Sequence, residues 1–163
     1  MSTIGNIRSC DDTAIDFVQM APDSIADILK CKSILKESEL SIDKAWQGIH
    51  FLLCDDPLKG EGPLSFILAG GENIGDVDVG YGPARSFRSS EVKNIAKHLN
   101  KISADDLAKK CKSEKFTENE IYPNLWDEPN EVCFSYLLNY YDELKDFVTQ
   151  ISEEDKGMIV YLS

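Results

Sequence analysis

Apolar and polar positions alternate along this chain in patterns that change character several times, and each change marks an element. Ile4 to Arg8 reads as a short strand. Asp11 and Asp12 stand where a helix cap belongs, ahead of a helix through Met20. Pro22 suits the start of a further helix, with Ile25, Ile28, Leu29 and Leu35 along one face. Ser41 is placed to cap a helix reaching about Cys54, in which Trp46, Ile49, His50 and Leu53 share one side. Pro63 opens a short helical turn over Leu64 to Leu68, which Gly70-Gly71 closes. Asp76 to Val79 alternates as a strand does and leads into Gly80-Tyr81-Gly82-Pro83-Ala84-Arg85-Ser86-Phe87-Arg88, read as a loop. Ser89 or Ser90 caps the helix that follows, whose inner stripe is Val92, Ile95, Ala96 and Leu99. Ser103 and Asp106 make a capping-box start for another, with Leu107, Ala108 and Cys111 inward. Phe116 to Asn130, broken by Pro123 and Pro129, reads as mostly irregular. Glu131 to Thr149 carries the strongest helical period, through Phe134, Leu137, Tyr141, Leu144 and Val148, and Met158 to Leu162 closes the chain as a buried strand.

This order predicts an α/β fold: a small sheet of about three or more short strands, flanked by helices on both sides in a three-layer, helix-rich arrangement. No Gly/Ser/Pro-rich linker or repeat interrupts the 163 residues, so one domain spanning 1–163 is expected. Charge changes the picture most. Seventeen basic against twenty-nine acidic residues give a net charge of −12, which repels nucleic-acid phosphates and anionic membranes. The expected partners are therefore a basic protein or a small anionic molecule held locally, and neither nucleic acid nor membrane. No apolar run approaches the roughly 20 residues that span a bilayer, and the N-terminus lacks a basic region followed by an apolar one, so a cytoplasmic protein is expected. The five cysteines, Cys10, Cys31, Cys54, Cys111 and Cys133, match no zinc module and read as small buried hydrophobes in a reducing compartment.

The arginine stretch is the first candidate site, because two of the chain's three arginines lie in it, just before a helix. Guanidinium forks and free backbone N–H groups there suit a phosphate or carboxylate. The alternative is a turn whose arginines pair with the chain's own carboxylates, and Arg88, beside an inward Phe87, fits surface. No Lys-Ser/Thr follows the glycines, and the third glycine of a dinucleotide fingerprint is missing, so no cofactor is expected. His50, with Asp43 seven residues before it, can be a general base or a satisfied core histidine. Two distant histidines make no metal site. Tyr122, Trp126 and Asp127 form an aromatic-acidic turn that either lines a cleft or pins a loop to the core, and Tyr136 and Tyr140 share one side of their helix. No nucleophile motif stands out.

Several of these segments, in order, carry a family resemblance. Ser41-Ile42-Asp43-Lys44-Ala45-Trp46-Gln47-Gly48-Ile49-His50-Phe51-Leu52-Leu53 resembles a block of the bacterial YfbM-like family. Pro63-Leu64-Ser65 with Gly70-Gly71-Glu72, Asp78 to Arg85, Glu120-Ile121-Tyr122-Pro123 with Trp126-Asp127, and Gly157 to Ser163 are similar to its later blocks. The resemblance spans about residues 40–163 and implies a compact α/β domain with helices on both sides of a small sheet, and no reaction.

Two readings of function follow. The first is a binding module, for a basic protein partner in the manner of an inhibitor or immunity protein, or for an anionic ligand. The second is a small enzyme or ligand sensor in which Tyr81, Arg85, His50 and Tyr122 converge, with Trp126 able to stack on a ligand ring.

Overall fold

The computed structural model describes residues 2–31, 38–126 and 131–163. Its strands are β1 (Gly5–Cys10), β2 (Glu39–Asp43), β3 (Glu72–Asp78), β4 (Pro83–Phe87) and β5 (Gly157–Leu162), in the order β2-β1-β5-β4-β3. The described helices are α1 (Asp12–Met20), α2 (Ile25–Lys30), α3 (Trp46–Cys54), α4 (Ser89–Leu99), α5 (Ala104–Ala108), α6 (Ser113–Glu118) and α7 (Glu131–Glu153). The fold is α/β, and every strand pairing in the five-stranded sheet is antiparallel.

The last strand in the chain is the central one. β5 pairs with β1 from Gly5 opposite Leu162 to Cys10 opposite Gly157, and with β4 from Arg85 opposite Val160 to Phe87 opposite Met158. Both faces of such a strand must be apolar, and its side chains alternate between two cores. Met158 and Val160 join Ile7, Phe87, Ile49, Val92, Leu144 and Val148 in the main core, whereas Ile159 packs with Val18, Ile25, Ile74 and Ala84.

Three parts of the sheet differ from the pattern reading. Ser41 does not cap a helix but lies in β2, where exposed Ser41 and buried Ile42 alternate, and the turn at Asp43 (φ 46°) delays α3 until Trp46. β3 starts at Glu72, four residues before the alternation is visible. The arginine stretch is only in part a loop: Gly80 (φ 151°) and Gly82 (φ 89°) turn the chain, and Pro83 to Phe87 is a strand. A Cβ at Gly80 would meet the Cα of Ser163 at 2.7 Å, so the turn can lie against the chain's end only with glycine there.

The helices differ in smaller ways. Pro22 to Ser24 forms a 3₁₀ turn before α2, and Leu35 lies outside the described residues. Asp11 makes no side-chain cap, and the Asp12 carboxylate caps a different helix: it accepts from the Ser89 N–H (2.8 Å) and hydroxyl (2.6 Å) at the start of α4. Ser103 and Asp106 form the reciprocal capping box of α5. Phe116 is buried within α6 rather than in an irregular segment, and α7 continues to Glu153. α3 is buried on every side from Trp46 to Leu53, so its apolar spacing understates its burial. The five cysteines are free: four are half-buried, and Cys31 is exposed rather than buried. Burial raises the thiols of Cys10, to about 12, and Cys111, to about 11.

Gly157 marks where β5 enters between its neighbours. A Cβ there would lie 2.5 Å from the Phe87 carbonyl oxygen and 2.6 Å from the Ile15 side chain. Gly157→Ala is expected to lower unfolding stability by about 1–3 kcal/mol in urea denaturation, since the nearest obstacle is backbone.

Candidate functional site

Arg85 leaves β4 toward the chain just before β3. Pro63 to Ser65 forms a 3₁₀ turn, and a further turn follows it, in which the Leu68 and Ala69 N–H groups both donate to the Ser65 carbonyl. A helical turn that stops there leaves its last carbonyls without partners. Arg85 supplies them: its guanidinium donates to the carbonyls of Phe66 (3.0 Å), Ile67 (2.6 Å), Ala69 (2.6 Å) and Gly70 (3.0 Å). The cation lies 5.5 Å from the centre of the Phe87 ring on the same strand face. Burial lowers its pKa to about 10, so it stays charged at neutral pH. The other two arginines are also engaged within the molecule. Arg8 binds the Ile28 and Cys31 carbonyls and the Glu39 carboxylate, and exposed Arg88 pairs with Asp16 at 2.5 Å.

His50, on α3, is wholly buried, and its Nε2 lies 3.0 Å from the Lys59 carbonyl oxygen. That acceptor requires the proton on Nε2, and Nδ1 has no partner among the described residues. Burial, with a further push from Arg85, holds the ring's pKa below the ordinary histidine value. Gln47 on the same helix donates to the Pro57 carbonyl and accepts from the Tyr122 N–H. His50, Gln47 and Arg85 therefore all grip the segment between α3 and β3.

Tyr122 stacks on Trp46 (5.7 Å between ring centres), and its hydroxyl accepts from the Thr3 N–H. Trp126 is 2% exposed, donates to the Ile121 carbonyl at 2.6 Å and packs on Phe116 and Phe134. Asp127 lies outside the described residues. Asp43 accepts from the Tyr136 hydroxyl (2.8 Å), not from His50. The same tyrosine oxygen accepts from the Lys44 N–H, and burial with the Asp43 bond raises its pKa.

Tyr81 and Arg85 thus share a hollow of about 240 Å³ with Asn73 and Tyr161, and Tyr81 is 51% exposed. His50 and Tyr122 do not line it. Asp43 and Trp126 meet elsewhere, in a groove of about 310 Å³ with Leu125, Val132 and Tyr136. The pattern reading missed a further hollow of about 310 Å³, lined by Lys109, Lys110, Lys112 and Lys115. Its only signal was the spacing of those lysines.

A family model described as a domain of unknown function, DUF1877, matches residues 1–161. The chain belongs to the DUF1877 family. Its fold is also that of a solved crystal structure, YfbM from Escherichia coli, titled a protein of unknown function, with a TM-score of 0.75 at 22% identity over 98% of this chain and 99% of that one. The YfbM-like resemblance is thereby borne out, and extends over the first forty residues, where the matching blocks were absent. No curated protein matches the chain. Among the described residues, no helix is long and apolar enough to cross a membrane.

Two outcomes are expected from this geometry. Arg85→Met should lower stability by about 3 kcal/mol or more, because four carbonyls lose a charged donor, and Arg85→Lys should recover little, since one ammonium cannot span them. Urea denaturation of both variants checks this. For His50, the folded pKa lies below the unfolded value of about 6.5, so the unfolded chain takes the proton first as pH falls. Stability should therefore decline from about pH 7 downward until the folded ring itself protonates, and His50→Gln should flatten that decline.

Proposed function

We propose that this protein is a binding module that recognises a basic protein partner through the groove at the start of α7. The observation that carries the reading is the groove's composition: Leu125 (60% exposed) and Val132 (81% exposed) stand over Trp126, Pro123 and the Tyr136 ring. Large apolar side chains exposed together beside an aromatic floor mark a surface for protein interaction. Tyr136 is held by Asp43 and by the Tyr140 ring at 5.0 Å, so the floor is rigid before binding. Charge selects the partner. α7 carries Glu131, Asp142, Glu143, Asp146 and Glu153 against Lys145 alone, within a chain of net charge −12. Such a field speeds encounter with a basic surface and suppresses acidic ones.

In this reading the chain is one three-layered domain, helices on both sides of the sheet, acting in the bacterial cytoplasm. The converging-site alternative finds less support, since Arg85 and Tyr122 are bonded to the chain's own backbone, and His50 is wholly buried with its Nε2 on the Lys59 carbonyl.

Selection of displayed random peptides on the full chain tests the proposal. Selected peptides should combine an aromatic or aliphatic anchor with Lys and Arg. Their affinity should fall about tenfold or more between roughly 0.05 and 0.3 M salt. It should also fall in Leu125→Ser and Val132→Ser. Acidic or neutral winners, or affinities indifferent to both substitutions, would overturn it.

A further inference from the structure

Lys109, Lys110, Lys112 and Lys115 fall across the end of α5 and the start of α6, and all four line one hollow of about 310 Å³. Its opposite wall is Phe51, Leu52 and Asp55, at the C-terminal end of α3. Lys110 is fixed there, donating to the Leu52 carbonyl and pairing with Asp55 at 2.9 Å. Among the described residues, Lys109, Lys112 and Lys115 reach no carboxylate within ion-pair distance. Asp55 and Glu118 against the four lysines leave the lining with an excess of two positive charges.

That excess is the reverse of the chain's net −12. At physiological salt, charges more than about 8 Å away are largely screened, so an anion in the hollow responds to the four lysines, Asp55 and Glu118 of its lining more than to acids elsewhere on the chain. Three lysines that line one space with no carboxylate of the described residues in ion-pair distance attract a multiply charged anion there. The volume lies at the small end of small-molecule sites. Phe51 and Leu52 add an apolar wall that a bare inorganic ion would not need.

We propose that this hollow binds a small organic phosphate, its di- or triphosphate group held by Lys109, Lys112 and Lys115, with Lys110 fixing the wall behind it. The ligand chemistry differs from that of the groove on α7, so either site can fail without the other.

The test is an amide NMR titration of the full chain with tripolyphosphate at about 0.15 M salt. Saturable shifts are expected on Phe51 to Asp55 and Lys109 to Asn119. The double substitution Lys112→Gln/Lys115→Gln should weaken binding about tenfold with an unchanged melting temperature, because both are surface side chains. Lys97→Gln, on α4, should bind as the parent does. The proposal is overturned by shifts that never saturate and spread over all lysine-bearing surfaces, by equal losses in the double and the control variant, or by parental affinity in the double variant. Binding to anionic vesicles without binding to tripolyphosphate would overturn it as well.

Discussion

The grip of Arg85 on four consecutive-turn carbonyls is the constraint on which the middle of this protein depends. A guanidinium has five donors in a fixed fork and no acceptor, and here it meets carbonyl dipoles rather than a carboxylate. Taking the charge out of water costs several kcal/mol. Four charge-assisted bonds of about 1.5–3 kcal/mol each are enough to offset that. The cation also sits where a helical turn ends, so the dipole of that turn favours it. Because Arg85 stands on β4, opposite Val160 of the central strand, the turn it holds is fastened directly to the sheet.

The same device recurs wherever the chain leaves regular structure. His50 and Gln47 hold Lys59 and Pro57, Arg8 holds the end of α2, and Lys110 holds the end of α3. Trp46 donates to the Thr3 carbonyl while Tyr122 accepts from the Thr3 N–H, so two stacked rings fix the start of the chain. Tyr141 donates to the Ile102 carbonyl between α4 and α5. Each buried backbone group that no helix or strand satisfies needs such a partner. Half-buried polar residues that look functional in isolation are largely occupied with this work.

That explains what could be read from the chain alone. The central strand, α4 and α7 were legible because their apolar patterns override local ambiguity, and α5 because Ser103 and Asp106 cap it by purely local geometry. β2 was not, because Ser41-Ile42-Asp43 is as good a helix start as a strand end until β1 is beside it. β4 was hidden by its own arginine, a charged residue on the same face as buried Phe87 in a strand of five. Arg85, His50 and Tyr122 were singled out as candidate site residues with a structural alternative beside each, and residue type cannot distinguish a guanidinium awaiting an anion from one awaiting four carbonyls. Trp126 and Asp43 were identified without the groove they share, because Val132 and Tyr136 reach it from a helix far along the chain.

The division of labour between the cations follows from their chemistry. Arginine, planar and weakly hydrated, tolerates burial and fans its donors over several carbonyls, and this chain uses two of its three arginines in that way. Lysine carries a compact, strongly hydrated charge that stays at the surface. In an acidic protein, surface lysines would be expected to find carboxylates, as Lys93 finds Asp155 and Lys156 finds Glu154. Among the described residues, Lys109, Lys112 and Lys115 reach none within ion-pair distance, although acids outnumber bases on the chain. Gathered around one hollow whose lining holds four lysines against two acids, they point away from fold stabilisation, which the buried arginines already supply, and toward a charge that comes from outside the molecule.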